Sequence, residues 1–382
     1  MAADVKDKVA IIGMGCTKFG ENWDDGPYEM IVDAAWEAFE DAGIEAKDVQ
    51  AAWLGTQQWG DAGMSLANAL KLHEIPVTRV ENFCATGSDA LRNACIGILS
   101  GMYDVVLALG FEKLKDWGLR GLPENPGTAH PVLNQNPTGP GYFALSAVRY
   151  MARYGIDRTP LAHIAVKNHH NGNLNPKSHY HRELTLEQVL NATMIAMPFG
   201  LFDCCTVADG ASAAILCRAD MAKKFRDDYV LVKGLGLAAS PRNQSPLHDF
   251  IGFPATVGAA KQAYEQAGIT HPAEEVSCAE VHDCFTWTEF CNYEDLGFVE
   301  KGEGWKWALD GTTSLEGRLP VNMDGGLKCF GHPVGASGIR MHYEIYKQFQ
   351  GKAGPRQLKN PTIGVTHTLG AVVSCVTVIG TP

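Results

Sequence analysis

An internal repeat constrains this chain more than any other feature of its sequence. The segment AAWEAFEDAGI at residues 34–44 returns as AAKQAYEQAGI at residues 259–269, with seven identical residues in eleven positions. Both copies have the apolar spacing of an amphipathic helix that stops at a glycine, and each precedes a polar linker and an apolar strand-like segment. Two alanine-rich helices can match by chance, but the shared order of the following segments favours two related α/β halves.

Apolar strand-like segments alternate with helical patterns along the first half. The strand-like segments are, in order, VAIIGMGC, DVQAAWLGTQ, PVTRVEN and YDVVLALGFE. The helices predicted between them cover residues 28–42 and 65–73 and a stretch that begins near Thr86. This alternation predicts an α/β fold with a mostly parallel sheet that is covered by helices on both faces.

The length of 382 residues fits two domains or one large duplicated unit. We predict an N-terminal half over residues 1–240 and a C-terminal half over residues 241–382. An insertion at about residues 113–141 enlarges the first half. It is dense in Pro, Gly and Asn and has no period, which is typical of a binding loop or lid rather than of a plain connection.

Composition and charge exclude several classes of protein. The net charge is −11 with no block of Lys or Arg, which argues against a nucleic-acid partner. No apolar run approaches the ~20 residues of a membrane span, and the polar N-terminus predicts a cytoplasmic protein. The eleven cysteines are scattered, as is typical of reduced buried thiols. Because no C-x-x-C pair occurs, the sequence predicts no metal site in this chain.

Cys84 is the strongest candidate for a nucleophile. It stands where a predicted strand ends and a predicted helix begins, and small residues follow it. Backbone N–H groups and the helix dipole favour a thiolate at such a position. An ordinary thiol is only a few per cent ionised at neutral pH, so a base partner is required. A buried structural cysteine is the alternative, and the position and neighbours of Cys84 favour the nucleophile.

Three further segments carry candidate catalytic groups. In GHPVGASG, His332 lies on a glycine-rich turn before a helix, in the second-half counterpart of the Cys84 turn, and is a candidate base. In VHDCF, strand alternation puts His282 and Cys284 on the same face. In VTHTLG, either the ring of His367 or the N–H of Gly370 is expected to point into the same site.

These motifs together resemble those of the thiolase superfamily. ENFCATGSDA resembles its nucleophile loop, DCCTVADGASAAIL its central strand and GGLKCFGHPVGASG its histidine loop. The HDCF motif is similar to that of the sterol-carrier-protein type and of archaeal thiolases. The resemblance implies a duplicated five-layered αβαβα fold, a homodimer, and coenzyme A as co-substrate with no permanently bound cofactor. It also implies a small separate subunit that joins a zinc ribbon to an OB-fold.

The resemblance also implies a role for each candidate residue. Cys84 would be acylated and His332 would take its proton, while Cys284 would move a proton at the α-carbon. His282 would hold the thioester oxygen, and the N–H groups of Cys84 and Gly370 would form an oxyanion hole. The Cys-x-Gly motif that carries the second cysteine of many thiolases is absent, because the equivalent stretch is Thr-Leu-Gly.

The substrate is less constrained by the sequence. Trp117 and Arg120 in the insertion, with Tyr142 and Phe143 beside it and His367, are candidates for a pocket that accepts an aromatic or carboxylated acyl group. Such a substrate is 2-benzoylsuccinyl-CoA, which would give benzoyl-CoA and succinyl-CoA. Acetoacetyl-CoA is the simpler substrate, and the aromatic residues would then only pack. A retro-aldolase or a ketoacyl synthase on the same fold, or a non-catalytic scaffold subunit, would also be compatible with much of this pattern.

Overall fold

The computed structural model describes residues 5–59, 61–118, 138–240 and 249–382. The strands in these ranges are β1 Val9–Cys16, β2 Ala51–Gly55, β3 Val77–Val80, β4 Val105–Glu112, β5 Met194–Ala196, β6 Phe199–Gly200, β7 Gly210–Arg218, β8 Val230–Ala239, β9 Cys278–Val281, β10 Ile363–Gly370 and β11 Val373–Gly380. The α-helices are α1 Pro27–Ala42, α2 Met64–Leu70, α3 Thr86–Leu99, α4 Gly139–Tyr154, α5 Thr159–Asn173, α6 Leu186–Leu190, α7 Pro254–Ala267, α8 Pro272–Glu275, α9 Thr286–Asp295, α10 Gly304–Asp310, α11 Gly326–Phe330 and α12 Val334–Phe349.

The strand order of the main sheet repeats on both sides of the central pair β1 and β8. The main sheet has the order β3-β2-β4-β7-β1-β8-β11-β10-β9, and β1 and β8 pair antiparallel at its centre. Outward from that pair, β8, β11, β10 and β9 take the positions that β1, β7, β4 and β2 take on the other side. The duplicated α/β fold that the repeat predicts is therefore confirmed.

The predicted direction of the strands is wrong. Parallel pairing is confined to β3–β2–β4 and to β9–β10, while the strands between these two groups pair antiparallel. The sheet is mixed rather than mostly parallel. Alternation of strands and helices predicts the layers, but the apolar pattern of a buried strand is the same in either direction.

The two sequence repeats form equivalent outer helices. α1 packs on β1 and β7, and α7 packs on β8 and β11. Each helix ends at a glycine in the left-handed region, Gly43 with φ 69° and Gly268 with φ 75°. The helices α3 and α12 pack against each other and form a central layer between the two halves of the sheet. With the outer helices, the order of the five layers is helix, half-sheet, central helices, half-sheet, helix.

Close contact between α3 and α12 positions the candidate site. A methyl group on Gly87 would lie 2.5 Å from the carbonyl oxygen of Gly335, so no larger residue fits there. Cys84 and His332 each lie two residues before one of these helices. The packing of the two helix N-termini therefore brings the two turns together.

Two predictions about the organisation of the chain, the division near residue 240 and the insertion at about residues 113–141, stay predictions. β8 ends at Ala239, immediately before the predicted division near residue 240. Most of the predicted insertion lies outside the described residues, and its last residues form the start of α4, which begins at Gly139 with Thr138 as its cap. In the described ranges, no helix is both long and apolar enough to cross a membrane.

Candidate active site

The Cys84 turn is held in an uncommon backbone conformation. Phe83, directly before Cys84, has a φ of 50° although it is not glycine, which costs backbone energy of about 1–3 kcal/mol. Three hydrogen bonds across the turn stabilise it: Asn82 N–H donates to Thr86 Oγ1 at 2.9 Å, Ala85 N–H to Asn82 O at 3.0 Å and Thr86 N–H to Phe83 O at 3.0 Å. The thiol is half-buried against Leu114, Val207 and Val334. Cys84 thus sits between strand and helix as predicted.

Three chemically reactive side chains from distant segments meet at this turn. The Cys84 Sγ and ring nitrogens of His282 and His332 all lie within 4.8 Å of one another. The two imidazole rings are edge to face, with centroids 5.4 Å apart and planes at 77°. The structure therefore joins the candidate nucleophile to two of the candidate histidines.

The hydrogen bonds around His332 fix its tautomer. Its Nδ1 lies 2.8 Å from Ser337 Oγ, and that hydroxyl donates its only proton to Pro333 O at 2.9 Å. His332 Nδ1 must therefore carry the proton and donate to Ser337. Its Nε2 is then an acceptor, and this buried atom has no hydrogen-bond partner among the described residues. The nitrogen that remains free is the one suited to take a proton from a thiol.

Both catalytic candidates among the histidines are neutral at physiological pH. Burial lowers the pKa of His332 to about 3, with the Arg340 guanidinium adding to the effect. Burial also lowers the pKa of His282 well below its usual range, helped by His332, His367 and Arg340. Both ring nitrogens of His282 are buried and have no partner in the described part of the chain. The imidazoles are therefore available as acceptors or ligands rather than as resident cations.

The ring of His367 contacts the backbone of His282. Its Nδ1 accepts from the His282 backbone N–H at 3.4 Å, and its Nε2 lies 3.0 Å from Thr256 Oγ1. Thr256 in turn donates to Ser374 Oγ at 3.2 Å. Because both ring nitrogens are engaged within the protein, the geometry favours a positioning role for His367 over the predicted contact with substrate.

Cys284 follows β9 and is buried beside the reacting group. Its Sγ lies 3.8 Å from Thr288 Oγ1. Burial raises the pKa of Cys284 well above its usual range, and negative charge on Cys205 or Cys84 would raise it further. Cys205, whose N–H donates to Cys284 O at 2.8 Å, is a third thiol at the site that the sequence did not single out. A proton donor, rather than a resident thiolate, is what this environment favours at Cys284.

Gly370, the last residue of β10, lies against the nucleophile turn. A methyl group at this position would come within 2.5 Å of Asn82 O and 3.2 Å of the Cys84 nitrogen. The next residue, Ala371, has a φ of 58°, so left-handed non-glycine residues stand on both sides of the site. Such strained backbone is common where N–H groups are aimed at a ligand.

A buried carboxyl joins the two histidine segments. Asp283 accepts from Leu327 N–H at 2.6 Å and from Asn168 Nδ2 at 2.8 Å. Burial, with the nearby Glu289 carboxyl, raises the pKa of Asp283 to about 7. Through Leu327, Asp283 ties the His282 segment to α11, which leads directly into His332. Sequence reasoning missed this link.

The structure describes some of the residues predicted to line the substrate pocket, and one of them lies outside the described ranges. Phe143 is buried in α4, with its ring centroid 5.1 Å from that of Phe285 and 6.0 Å from that of Phe253. This favours a packing role for Phe143. Tyr142 is partly buried beside it, with ring centroids 5.2 Å apart. Trp117 ends the 3-10 turn Lys115–Trp117, and Arg120 lies outside the described residues.

Comparison with known families decides what this arrangement belongs to. Residues 9–190 match the family described as "Thiolase, N-terminal domain", and residues 236–380 match "Thiolase C-terminal domain-like". The chain belongs to the thiolase family. Thiolases of this kind are acyltransferases, so the enzyme class predicted from the motifs is confirmed.

Relatives place this thiolase near the two types that the HDCF motif predicted. It is 40% identical to an acetyl-CoA acetyltransferase of Methanothermobacter thermautotrophicus, over 95% of this chain and 96% of that protein. It is 32% identical to sterol carrier protein 2 of Gallus gallus, over 100% of this chain and 73% of the relative. It is also 32% identical to the benzoylsuccinyl-CoA thiolase subunit BbsB of Thauera aromatica, over 95% and 94%.

A solved structure supports the fold of this thiolase. The structure titled "Ltp2-ChsH2(DUF35) aldolase" aligns with a TM-score of 0.89 over 99% of both chains, at 23% sequence identity. At this level of identity the likeness extends to the fold alone. The duplicated thiolase architecture derived from the repeat is thus also found in an experimental structure.

Proposed function

We propose that this thiolase cleaves a 3-oxoacyl-CoA with free coenzyme A, through an acyl group carried on Cys84. The observation that carries the proposal is the meeting of the Cys84 Sγ with ring nitrogens of His282 and His332 within 4.8 Å. A thiol needs a base to become a competent nucleophile, and His332 Nε2 is a neutral acceptor with no other partner among the described residues. Coenzyme A acts as co-substrate and no permanently bound cofactor is required.

The first step forms the acyl-enzyme. The Cys84 Sγ attacks the 3-oxo carbon while its proton passes to His332 Nε2, and the Nδ1–H bond to Ser337 stabilises the ring in the required tautomer. The C2–C3 bond then breaks, which leaves the acyl group on Cys84 and releases the enolate of the shortened acyl-CoA. We assign the developing oxyanion to the N–H groups of Cys84 and Gly370. The contact between the two residues supports this pairing, because a methyl group on Gly370 would lie 3.2 Å from the Cys84 nitrogen. Each such donor contributes about 3–4 kcal/mol to the barrier reduction.

The second step concerns the α-carbon of the thioester. We assign protonation of the enolate at this carbon to Cys284, whose buried thiol is kept protonated by its surroundings. His282 has two buried ring nitrogens with no hydrogen-bond partner among the described residues, so it is suited to hold the thioester oxygen as enolate charge develops. His367 and Asn292 hold the backbone of His282, through its N–H at 3.4 Å and its carbonyl at 3.2 Å. Free coenzyme A then attacks the acyl-enzyme thioester, takes the acyl group and restores the Cys84 thiol.

Acetoacetyl-CoA is the substrate that we propose first. The acetyl-CoA acetyltransferase relative is 40% identical, against 32% for the benzoylsuccinyl-CoA thiolase subunit. The packing of Phe143 into the aromatic cluster also leaves one predicted pocket residue unavailable for a bulky acyl group.

An aromatic, carboxylated substrate such as 2-benzoylsuccinyl-CoA is the second candidate. It is supported by similarity to BbsB along the whole chain and by Tyr142 at the start of α4, next to the insertion. Comparison of kcat/KM for acetoacetyl-CoA and 2-benzoylsuccinyl-CoA separates the two. If the carboxylate is recognised, Arg120→Ala lowers kcat/KM for the carboxylated substrate by about 10- to 150-fold, equivalent to about 1.5–3 kcal/mol, and leaves acetoacetyl-CoA unchanged. Equal losses on both substrates would favour the short-chain enzyme.

We propose a small zinc-ribbon and OB-fold subunit as the partner of this chain. One relative, BbsB, is named as a subunit, and the similar solved structure is titled as a pair with a DUF35 protein. The 43 Asp and Glu outnumber the 32 Lys and Arg, so the net charge of −11 disfavours the phosphates of coenzyme A, and a second subunit would supply a cationic surface for them. Coenzyme A should therefore bind weakly to the purified chain and more tightly once the subunit is added. Micromolar binding by the chain alone would contradict this.

We also propose a homodimer. β3 is an edge strand of the main sheet as far as the described strands go, and its residues Val77–Val80 are half-buried or exposed in the single chain. This edge is a surface for strand pairing with a second copy. Analytical ultracentrifugation of the isolated chain tests this, and a monomer at micromolar concentration would contradict it.

A further inference from the structure

We propose that Cys84, His282 and His332 also form a binding site for a thiophilic divalent cation, with Zn²⁺ as the representative ion. The ligand atoms of these three side chains all lie within 4.8 Å of one another. A cysteine sulfur and two imidazole nitrogens are a ligand set that zinc commonly takes in proteins. The sequence predicted no metal site because no C-x-x-C pair occurs, and the three ligands proposed here come from separate segments of the chain.

The two histidines are already prepared as ligands. A metal binds neutral imidazole through an unprotonated nitrogen, and His332 presents Nε2 in that state because its Nδ1 donates to Ser337. His282 is buried, and neither of its ring nitrogens has a hydrogen-bond partner among the described residues. Coordination would therefore break no existing hydrogen bond at either ring, and it would satisfy nitrogens that are otherwise unpaired.

The spacing fits a metal after a small movement. Zinc bonds of about 2.0–2.3 Å in a tetrahedron place ligand atoms about 3.3–3.8 Å apart. The separations here reach at most 4.8 Å, so side-chain rotation of order 1 Å closes the site. On binding, a bond forms between the metal and the Cys84 sulfur, the S–H bond breaks, and its proton leaves to the solvent buffer. Oxidation states do not change.

Three protein ligands leave the fourth position of the ion open to water or to a thiolate. His332 donates its other ring N–H to Ser337, whereas the second ring nitrogen of His282 has no partner in the described ranges. Loss of such an outer partner typically weakens metal binding by about 10–100-fold. We therefore expect reversible, micromolar binding rather than a permanent structural metal. Because the ion occupies the nucleophile, it inhibits acyl transfer in competition with the acyl-CoA, and this one consequence depends on the proposed function.

Co²⁺ titration of the complete chain tests the site without any assay of activity. Bound Co²⁺ should give one equivalent per chain, visible d–d bands of tetrahedral cobalt and a near-ultraviolet thiolate-to-cobalt band. Cys84→Ala should abolish the thiolate band, and His282→Ala or His332→Ala should raise the dissociation constant at least tenfold. The control variants Cys95→Ser and His73→Ala, which lie in α3 and beyond α2, should bind as the wild type does.

A second measurement covers the case in which a variant fails to fold. Wild-type protein alkylated at Cys84 with iodoacetamide should lose Co²⁺ binding and keep its thermal unfolding midpoint. Unchanged Co²⁺ binding in the alkylated protein, or the absence of a thiolate band in the wild type, would overturn the metal site. Acyl transfer without metal binding would overturn only this inference, whereas metal binding without acyl transfer would overturn only the proposed function.

Discussion

The Nδ1 atom of His332 donates a hydrogen bond to Ser337 Oγ across 2.8 Å, and this bond determines which ring nitrogen faces Cys84. The Ser337 hydroxyl is itself directed by Pro333 O, so the tautomer follows from a chain of two hydrogen bonds within one glycine-rich turn. Ser337 contacts no reacting atom in the proposed mechanism. It is a positioning residue whose effect passes through the imidazole.

Loss of the Ser337 hydroxyl should slow acylation with little effect on substrate binding. In Ser337→Ala the ring can adopt the other tautomer, and we expect the single-turnover acylation rate to fall about tenfold, which corresponds to about 1.4 kcal/mol. Ser337→Thr keeps the hydroxyl and should restore most of the rate. Ser88→Ala is the matched control, because that buried hydroxyl has no hydrogen-bond partner in the described part of the protein. An equal loss in Ser88→Ala would show that packing alone is responsible.

The resting state at the nucleophile should be a neutral thiol beside a neutral imidazole. Burial raises the pKa of Cys84 to about 12 and lowers the pKa of His332 to about 3. Below a thiol's pKa the thiolate fraction rises tenfold per pH unit, so the rate of iodoacetamide alkylation at Cys84 should climb about tenfold per unit from pH 6 to 9. Cys84→Ala measures the background from the other cysteines. A plateau below pH 8 would instead reveal a thiolate–imidazolium pair.

Local sequence was informative where the chemistry lies at the ends of secondary-structure elements. The junction of strand and helix at Cys84 and the short HDCF segment were visible in the residues themselves, as was the turn at His332. Ser337 lies five residues after His332 in the same motif, so its role was within reach of sequence reasoning.

Long-range partners left no local signal. Thr256 contacts His367 from 111 residues away, and Asn168 reaches Asp283 from 115 residues away. Neither residue stands in a recognisable pattern. The direction of the strands could not be predicted either. β1 and β8 pair antiparallel, but the apolar pattern of a buried strand is the same in a parallel and in an antiparallel pair.

Gly370 should not tolerate a side chain. Because a methyl group would lie 2.5 Å from Asn82 O and 2.9 Å from Phe83 Cβ, Gly370→Ala must displace the nucleophile turn. We expect acylation to fall by about 10²–10³-fold, the effect of losing one oxyanion donor. The free energy of unfolding should drop by about 1–3 kcal/mol from overpacking.

Gly258→Ala is the control for that substitution. Its methyl group, on the outer helix α7, would meet Ala238 Cβ at 3.2 Å and no other atom of the described residues within 4 Å. Thermal unfolding and single-turnover acylation of both variants separate packing from catalysis. Normal acylation by Gly370→Ala would remove Gly370 from the oxyanion hole.

Cys284 should be needed for the carbon–carbon step and not for acylation by acetyl-CoA, in which no carbon–carbon bond breaks. Cys284→Ala is expected to acylate at Cys84 from acetyl-CoA at a nearly unchanged rate, while α-proton exchange in acetyl-CoA falls by about 10²–10⁴-fold, the usual contribution of a general acid or base. Exchange is followed by mass spectrometry in deuterated buffer. Cys205→Ala, which removes the thiol next to Cys284, should retain exchange, and a loss in that variant instead would move the role to Cys205.

Covalent labelling of the nucleophile tests the central claim most directly. The purified chain, with any partner subunit it requires, is mixed with acetoacetyl-CoA in the absence of free coenzyme A, and the intact mass and its peptides are then measured. We expect one acetyl group per chain on the peptide that contains Cys84, and no label in Cys84→Ala. A label on Cys284 or Cys205, or an unlabelled chain that still turns over substrate, would contradict the proposed mechanism.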